Sequence, residues 1–445
     1  MIQKLTQSRW AKAETASWWL SLAKNLEVTV FSFLIFLLPT QLGKHFWFGF
    51  SLVLGQRIDY LSPTLYVTDL LLIALLLLTV LQRKTIRLHP LFLGFLLFLS
   101  VSIALSSSPL VGWYYFAKFL EVSFFVWYVV HAQVSYKNIG ILLAIGVVGE
   151  SLLAAAQLFF QHSVGGLLYF LGERSFSATT PGIANASIQG ALILRPYATF
   201  PHPNMLAGYL AAVLFLLVFL FWGKNNISER MLFFLASPIG AIGLALSLSR
   251  AAIASWFLVG ALLLLMYRKW TRRVLFVLLA LGSAMLLATV LFPATLFRFL
   301  AIPTGESVTE RIILASAALR MVLAHPIFGV GPNNFIVALP HFLQNDVFLQ
   351  PVHNIYLLVL AEQGFLGFLF FCLFLLLVGK VLLLTWKRAV GGEKLRLLFL
   401  AGALLVILLA GLFDHYFLTL QQGQLLCALV IGIILREGHH ATIQA

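Results

Sequence analysis

Charge is what this sequence most lacks. Only 10% of its 445 residues are Asp, Glu, Lys or Arg, where a soluble globular domain carries about 25%. That is too little to coat a water-facing surface. A large soluble enzyme is excluded, and so are a disordered and a collagen-like chain. Acid is scarcer than base: 15 carboxylates stand against 29 lysines and arginines, for a formal charge of +14. Cysteine is nearly absent. Cys372 and Cys427 both lie inside apolar runs, which implies neither a disulfide framework nor a cysteine metal site. Also missing are a GxxxxGK phosphate loop, an HExxH pair and a GxSxG elbow. ATP-driven pumping, zinc proteolysis and serine hydrolysis therefore lose their usual sequence warrants.

What is present is apolar. Hydrophobic residues make up 61% of the chain and the mean hydropathy is +0.99. At about 20 apolar residues per bilayer crossing, the runs predict some twelve transmembrane helices, at 27–42, 64–82, 90–107, 112–131, 138–160, 204–222, 230–248, 251–267, 274–293, 355–379, 396–413 and 416–435. The runs are too long for strands, and outer-membrane strands would alternate over about ten residues. The expected fold is all-α, a single polytopic integral membrane domain over 1–445. The first residues, with Arg9, Lys12, Trp10, Trp18 and Trp19, lack the short apolar run and cleavage site of a signal peptide. They read as a basic segment lying on the membrane surface.

A basic excess in a soluble chain would point to nucleic acid. Here the positive-inside rule absorbs it, and no nucleic-acid partner is expected. With both termini cytoplasmic, twenty of the 29 lysines and arginines fall on the inner face and eight on the outer, with Lys118 inside a span. The expected location is the cytoplasmic (inner) membrane. Two segments break the rhythm of short loops, 161–203 and 294–354, both on the outer side. The second holds a predicted helix, Ser307–Ala324. Long loops without a core of their own are usually functional or disordered.

Polar residues crowd the outer ends of the spans. Arg195-Pro-Tyr-Ala-Thr-Phe-Pro-His-Pro-Asn204 is kept non-helical by Pro201 and Pro203, and Asn204 is placed to cap the next helix. In Ser247-Leu-Ser-Arg250 an arginine sits between two apolar spans with almost no loop. Such an arginine is either functional or snorkelling to headgroups. Arg311 and Arg320 are nine residues apart, so about 900° of helical turn puts them on opposite faces. Only one of them can readily face a common site. His353 opens a span as part of His353-Asn-Ile-Tyr356, either as a cap or as a base, imidazole being suited to proton transfer near neutral pH. Asp414-His415 forms a tight turn between the last two spans. Arg195, Arg250 and Arg311 together make an anion clamp, because guanidinium binds phosphate bidentately. With His353 as base, the chemistry this favours is displacement of a lipid diphosphate by a hydroxyl. No carboxylate cage for Mg²⁺ is apparent, so no metal and no cofactor are expected.

These pieces resemble the O-antigen ligase and polymerase family of bacterial envelope glycan assembly. The resemblance rests on Arg195 with Phe200-Pro-His-Pro-Asn204, Ser247-Leu-Ser-Arg250, Arg311 upstream of His325-Pro-Ile-Phe-Gly-Val-Gly331, His353-Asn-Ile-Tyr356 with Glu362-Gln-Gly364, and Gly411-Leu-Phe-Asp-His415. It covers the span pattern of the whole chain and is most specific from about 195 to 415. It implies an all-helical, GT-C-like, metal-independent inverting glycosyltransferase of lipopolysaccharide or exopolysaccharide assembly. The donor would be a glycan on undecaprenyl diphosphate, and the acceptor a lipid or glycan hydroxyl. His353 would be the base, Arg250 and Arg311 would hold the diphosphate, and Arg195 would be a third ligand. Ligase and polymerase remain open between them. A transporter or flippase for a lipid-linked glycan is the competing class. It would use polar residues within spans, here Asp69, Lys118, Glu121 and Glu150, and would be expected to show an internal repeat.

Overall fold

A computed structural model describes residues 22–443 apart from 87, 189, 224–225, 267–271, 301–305 and 344–347. The surface segment expected at the N-terminus lies outside the described residues. In chain order the helices are α1 (22–36), α2 (Val67–Leu81), α3 (Pro90–Ala104), α4 (Pro109–His131), α5 (Tyr136–Phe160), α6 (Pro203–Phe221), α7 (Ile227–Leu246) and α8 (Arg250–Met266). There follow α9 (Arg272–Leu291), α10 (Ala294–Leu300), α11 (Glu306–Ala324), α12 (Phe335–Ala338), α13 (Ile355–Arg388), α14 (Gly392–Ala410), α15 (Tyr416–Thr419) and α16 (Gln421–Ile443). With 72% of the described residues helical, the protein is an all-α membrane protein. Each expected apolar run is helical over most of its length. Among the described residues four helices, α5, α6, α7 and α13, are long and apolar enough to cross a membrane by length and composition.

The centre of the bundle is α6, which is 94% buried over its apolar window. Its sequence is apolar on all sides, so it carries no solvent stripe and must be enclosed. It packs against α5, α7, α8, α14 and α16. Small residues let the neighbouring helices come close: a Cβ on Gly240 would meet Val147 at 2.5 Å, and one on Gly243 would meet Ser151 Oγ at 2.3 Å. By contrast α13 is only 11% buried over its window, and Leu369, Leu376 and Leu383 project outward, as a lipid-facing helix requires.

Two boundaries differ from the sequence reading. Helix α13 continues nine residues beyond 379 and ends in Lys387 and Arg388, whose long side chains suit a helix end at an interface. The last span begins at Gln421 because Tyr416–Thr419 forms its own turn and Leu420 is extended. The charged groups singled out inside the spans, Asp69, Lys118, Glu121 and Glu150, are partnered. Lys118 Nζ lies 2.5 Å from Asp69 Oδ2 and 3.1 Å from Glu121 Oε2. Gln421 Nε2 donates to Asp69 Oδ1. Glu150 accepts from Thr199 N at 3.0 Å and Thr199 Oγ1 at 2.8 Å.

Three connecting segments gather at one end of the bundle. Residues 161–202 carry the hairpin β5 (Asn185–Ile188) and β6 (Ala191–Leu194). Residues 292–354 carry α10 to α12, and the helix expected at Ser307–Ala324 is α11. The third, 40–66, takes in the loop expected between the spans 27–42 and 64–82 and the adjoining ends of both, and holds two hairpins: Gly43–His45 pairs with Thr64–Tyr66, and Leu52–Val53 with Gln56–Arg57. At the far end, Lys84 pairs with Glu27 at 2.7 Å, and Arg396 and Arg436 donate to the carbonyls of Phe219 and Val134.

Candidate active site

Three helices begin at the same place. The amide of Asn204 in α6 donates to Nδ1 of His202, the residue before the helix, at 3.1 Å. Helix α8 starts at Arg250 itself. At α13, Asn354 Oδ1 accepts from Tyr356 N and Leu357 N, both at 2.9 Å. Helix N-termini carry partial positive charge and unpaired N–H groups. Three of them converging with arginines make a site built for an anion.

The motif around His353 divides its labour. Asn354 caps α13 and also donates to Leu412 O at 3.1 Å, while Tyr356 OH donates to Leu408 O at 2.9 Å and Ile355 N to Gly411 O at 2.8 Å. These bonds latch α13 to the C-terminus of α14, whose last carbonyls would otherwise be orphaned. Arg311 Nη1 takes another of them, Phe413 O, at 2.9 Å. His353 is held by these neighbours, yet its Nδ1 is buried with no hydrogen-bond partner among the described residues. Its ring lies 5.2 Å from that of His415, edge to face. His415 in turn lies 4.5 Å from Tyr416, which packs 4.7 Å from His202.

Electrostatics hold this cluster of imidazoles neutral. Burial, then the charge of Arg311, pushes His353 down to about 4. Burial and the surrounding cations hold His202 and His415 well below the ordinary histidine range. Burial pushes the Asp414 carboxyl up to about 6, against the hydrogen bond from Asn204 and the charges of Arg311 and Arg195. The arginines repel one another: burial and Arg311 lower Arg250, and burial and Arg250 lower Arg298. An arriving anion would relieve that repulsion.

Arg195 is buried, and its Nε and Nη2 both donate to Ser247 O at 3.3 Å, with Nη2 also on Asn204 Oδ1. Asn204 Nδ2 passes the contact on to Asp414 Oδ2 at 2.8 Å. One chain of bonds thus joins the turn before α8, the start of α6 and the end of α14. The turn Ser247–Ser249 needs Leu248 at a left-handed φ of 56°, a strained state for a branched residue. The β5–β6 hairpin holds it there, with Leu248 packed against Ala186, Ile188 and Ile193.

The structure brings Arg195, Arg250, Arg311 and His353 to this one end, and it adds residues the sequence reading had left out of the core. Asp414 and His202 are in contact with the cluster, as is His415. Arg298 comes across from α10 with its Nε buried and unpartnered among the described residues. The signal for Arg298 was that it is one of the eight basic residues on the expected outer face. Arg320, on the other side of α11 from Arg311, has a buried Nε with no hydrogen-bond partner among the described residues. His353, Asp414 and His415 each place one ligand-capable atom within 4.8 Å of the others, a set that could hold a cation. Arg311 beside it opposes that use.

The His325–Gly331 motif is a lock and not a contact surface. Val330 N donates to Ala361 O and Gly331 N to Glu362 O, both at 2.9 Å, and Phe365 N donates to Pro326 O at 2.7 Å. The Glu362 carboxylate takes Asn333 N at 3.0 Å and Phe335 N at 3.2 Å. This pairing is possible because α13 breaks at Gly364, with φ 63° and ψ −170°, a conformation essentially confined to glycine.

Residues 235–372 match the family model Wzy_C, described as O-Antigen ligase. The match supports assignment to the O-antigen ligase family. It runs from α7 through the break in α13, and so includes Arg250, Arg311, His353 and Glu362. The Arg195–Asn204 and Asp414–His415 segments flank it. No curated protein matches the chain. That similarity to the O-antigen ligase model, in a membrane-embedded all-α protein, supports glycan transfer of the ligase or polymerase kind.

Proposed function

We propose that the chain transfers a glycan from undecaprenyl diphosphate to an acceptor hydroxyl at the outer face of the cytoplasmic membrane, with twelve spans and both termini cytoplasmic. The observation that carries the reading is the buried Nδ1 of the neutral His353 ring, beside Arg311 and without a hydrogen-bond partner among the described residues. His353 takes the proton of the acceptor hydroxyl, and the oxygen attacks the anomeric carbon. The bond from that carbon to the diphosphate oxygen breaks, and the electron pair leaves with undecaprenyl diphosphate. In-line attack inverts the anomeric centre. Arg250 and Arg311 stabilise the charge that develops on the leaving group. Arg195 commits Nε and Nη2 to Ser247 and Asn204, which leaves Nη1 for the same anion.

The transporter reading loses its support in the pairing of Lys118 with Asp69 and Glu121 and of Glu150 with Thr199. Those groups are braced, not waiting for a solute. The deciding experiment is transfer in vitro by purified protein with undecaprenyl-diphosphate glycan, EDTA and no nucleotide. Product is expected from wild type, and His353→Ala should fall about 10²–10⁴-fold, the usual contribution of a general base. Equal product from the mutant would sink the mechanism, and dependence on a divalent ion would remove its metal independence. A lengthening ladder on the lipid carrier would mark a polymerase, and transfer of a preformed glycan to another acceptor a ligase.

A further inference from the structure

A cavity of about 470 Å³ among the described residues lies beside the arginine cluster but differs from it in chemistry. That volume falls within the range of about 300–1,000 Å³ typical of small-ligand sites. Its walls come from the 40–66 segment, the start of α4, residues 169–174 and the stretch from α15 into α16. Six aromatic side chains line it: Trp47, Tyr60, Tyr66, Tyr114, Tyr115 and Tyr169. Its charged lining residues balance, Asp59 and Glu173 against Lys118 and Arg174. Two of these four are already spent. Lys118 is bound to Asp69 and Glu121, and Glu173 accepts from Gln157 Nε2, Val164 N and Gly165 N.

Aromatic faces with hydroxyl and amide groups and little free charge suit a neutral ligand that is apolar on its ring faces and rich in hydroxyls at its edge. Tyr and Trp offer such a ligand both a flat surface and a polar handle. A diphosphate would be poorly served there. The cavity ends one side chain short of the imidazole cluster, and two of its lining residues touch His415. Tyr60 packs edge-on against His415 at 5.4 Å, and Thr419 Oγ1 holds His415 Nδ1 at 2.7 Å. His415 is next to His353. Asn333, pinned by Glu362, fixes the backbone of Tyr60 through its Nδ2 at 3.2 Å.

We infer that this cavity binds the acceptor as a neutral saccharide and presents one of its hydroxyls toward His353. The inference rests on the glycan-transfer reading for its catalytic meaning, while saccharide binding can be measured without catalysis. The first measurement uses full-length protein in nanodiscs on an array of defined neutral di- to tetrasaccharides. Wild type should bind a subset. Trp47→Ala and Asp59→Ala alter side chains on the exposed 40–66 segment and should weaken that binding at least tenfold, whereas Trp47→Phe should largely keep it. In the transfer assay the same alanine variants should raise the KM of the acceptor at least tenfold, and not that of the donor. Absence of saccharide binding by wild type, binding by the alanine variants equal to wild type, or an effect confined to the donor KM would each overturn the inference. If wild type bound saccharide but transferred none, the cavity assignment would stand and the glycan-transfer reading would fall.

Discussion

At His353 the same burial that encloses Nδ1 also controls the titration of the ring. Protonation would inactivate a base, and burial with Arg311 alongside makes the cation costly, so the loss moves from the ordinary 6.5 down to about 4. In the free enzyme kcat/KM should therefore stay flat from pH 8 to about 5.5, and a limb at 6.5 would contradict the assignment. The window also bears on stability. Between 6.5 and about 4 the unfolded chain takes up a proton at His353 that the folded protein refuses, so His353 lowers stability as pH falls through that range, while Asp414, raised to about 6, acts in the opposite sense. Initial rates are thus the right readout. Bound diphosphate favours imidazolium, so the limb in kcat should lie above the limb in kcat/KM. Arg311 offers a coupled test. Hydrogen bonds to charged groups contribute roughly 1.5–3 kcal/mol, so Arg311→Ala should lower kcat/KM about 10–100-fold. Removing its charge should also raise the acid limb toward 6.5. A variant that had only misfolded would lose activity without moving the limb.

The elements that carry these residues are joined by backbone contact, and the break in α13 is where the joining is closest. A Cβ on Gly364 would lie 2.3 Å from Ile327 O and 2.7 Å from Pro326 O. Backbone cannot give way as a flexible side chain can. The left-handed φ adds about 1–3 kcal/mol of strain for any other residue. Gly364→Ala should therefore lower the thermal midpoint by several degrees and cost activity by loosening the His325–Gly331 loop and, with it, Asn333. Gly379→Ala, in the same helix with nothing within 4 Å, is the control and should be neutral or slightly stabilising. Equal behaviour of the two variants would refute the lock. The motif was legible in the sequence, but its job was not. Three glycines spaced along 329–364 read as a family mark, and only the pairing of Val330 and Gly331 with 361–362 reveals a backbone seam. The hairpins of 40–66 were illegible for a different reason. Strands of two or three residues carry no periodicity to detect, so most of the segment that walls the cavity passed as a loop.

Across the whole molecule, the helices were the most legible feature, because twenty-residue apolar runs admit no other structure in lipid. The site was legible where a charged residue stood against that background, as Arg250 does between two spans. Distance in the chain hid the rest. The i, i+3 spacing of Lys118 and Glu121 suits a pair on one helix face, and the pair forms at 3.1 Å, yet the shorter contact of Lys118 is Asp69, 49 residues away. The same limit hid the link from Arg195 through Asn204 to Asp414. Orientation is the molecular property that all site chemistry depends on, since a donor presented on one face is useless to a site on the other. The site end carries Arg195, Arg250, Arg298 and Arg311, which the positive-inside rule would place on the cytoplasmic face unless the opposite end were more basic still. It is: Lys84, Arg230, Lys387, Arg388, Lys394, Arg396 and Arg436 lie at or near helix ends away from the site. A fluorescent protein fused after Ala445 should therefore mature and glow, because it folds in the cytoplasm. Alkaline phosphatase inserted at Gly182, a turn in the 161–202 segment with open space around it, should be active, because it needs the oxidising outer side. The reverse pattern would put the arginine cluster on the cytoplasmic face and remove the outer-face transfer reaction, whatever the geometry of His353.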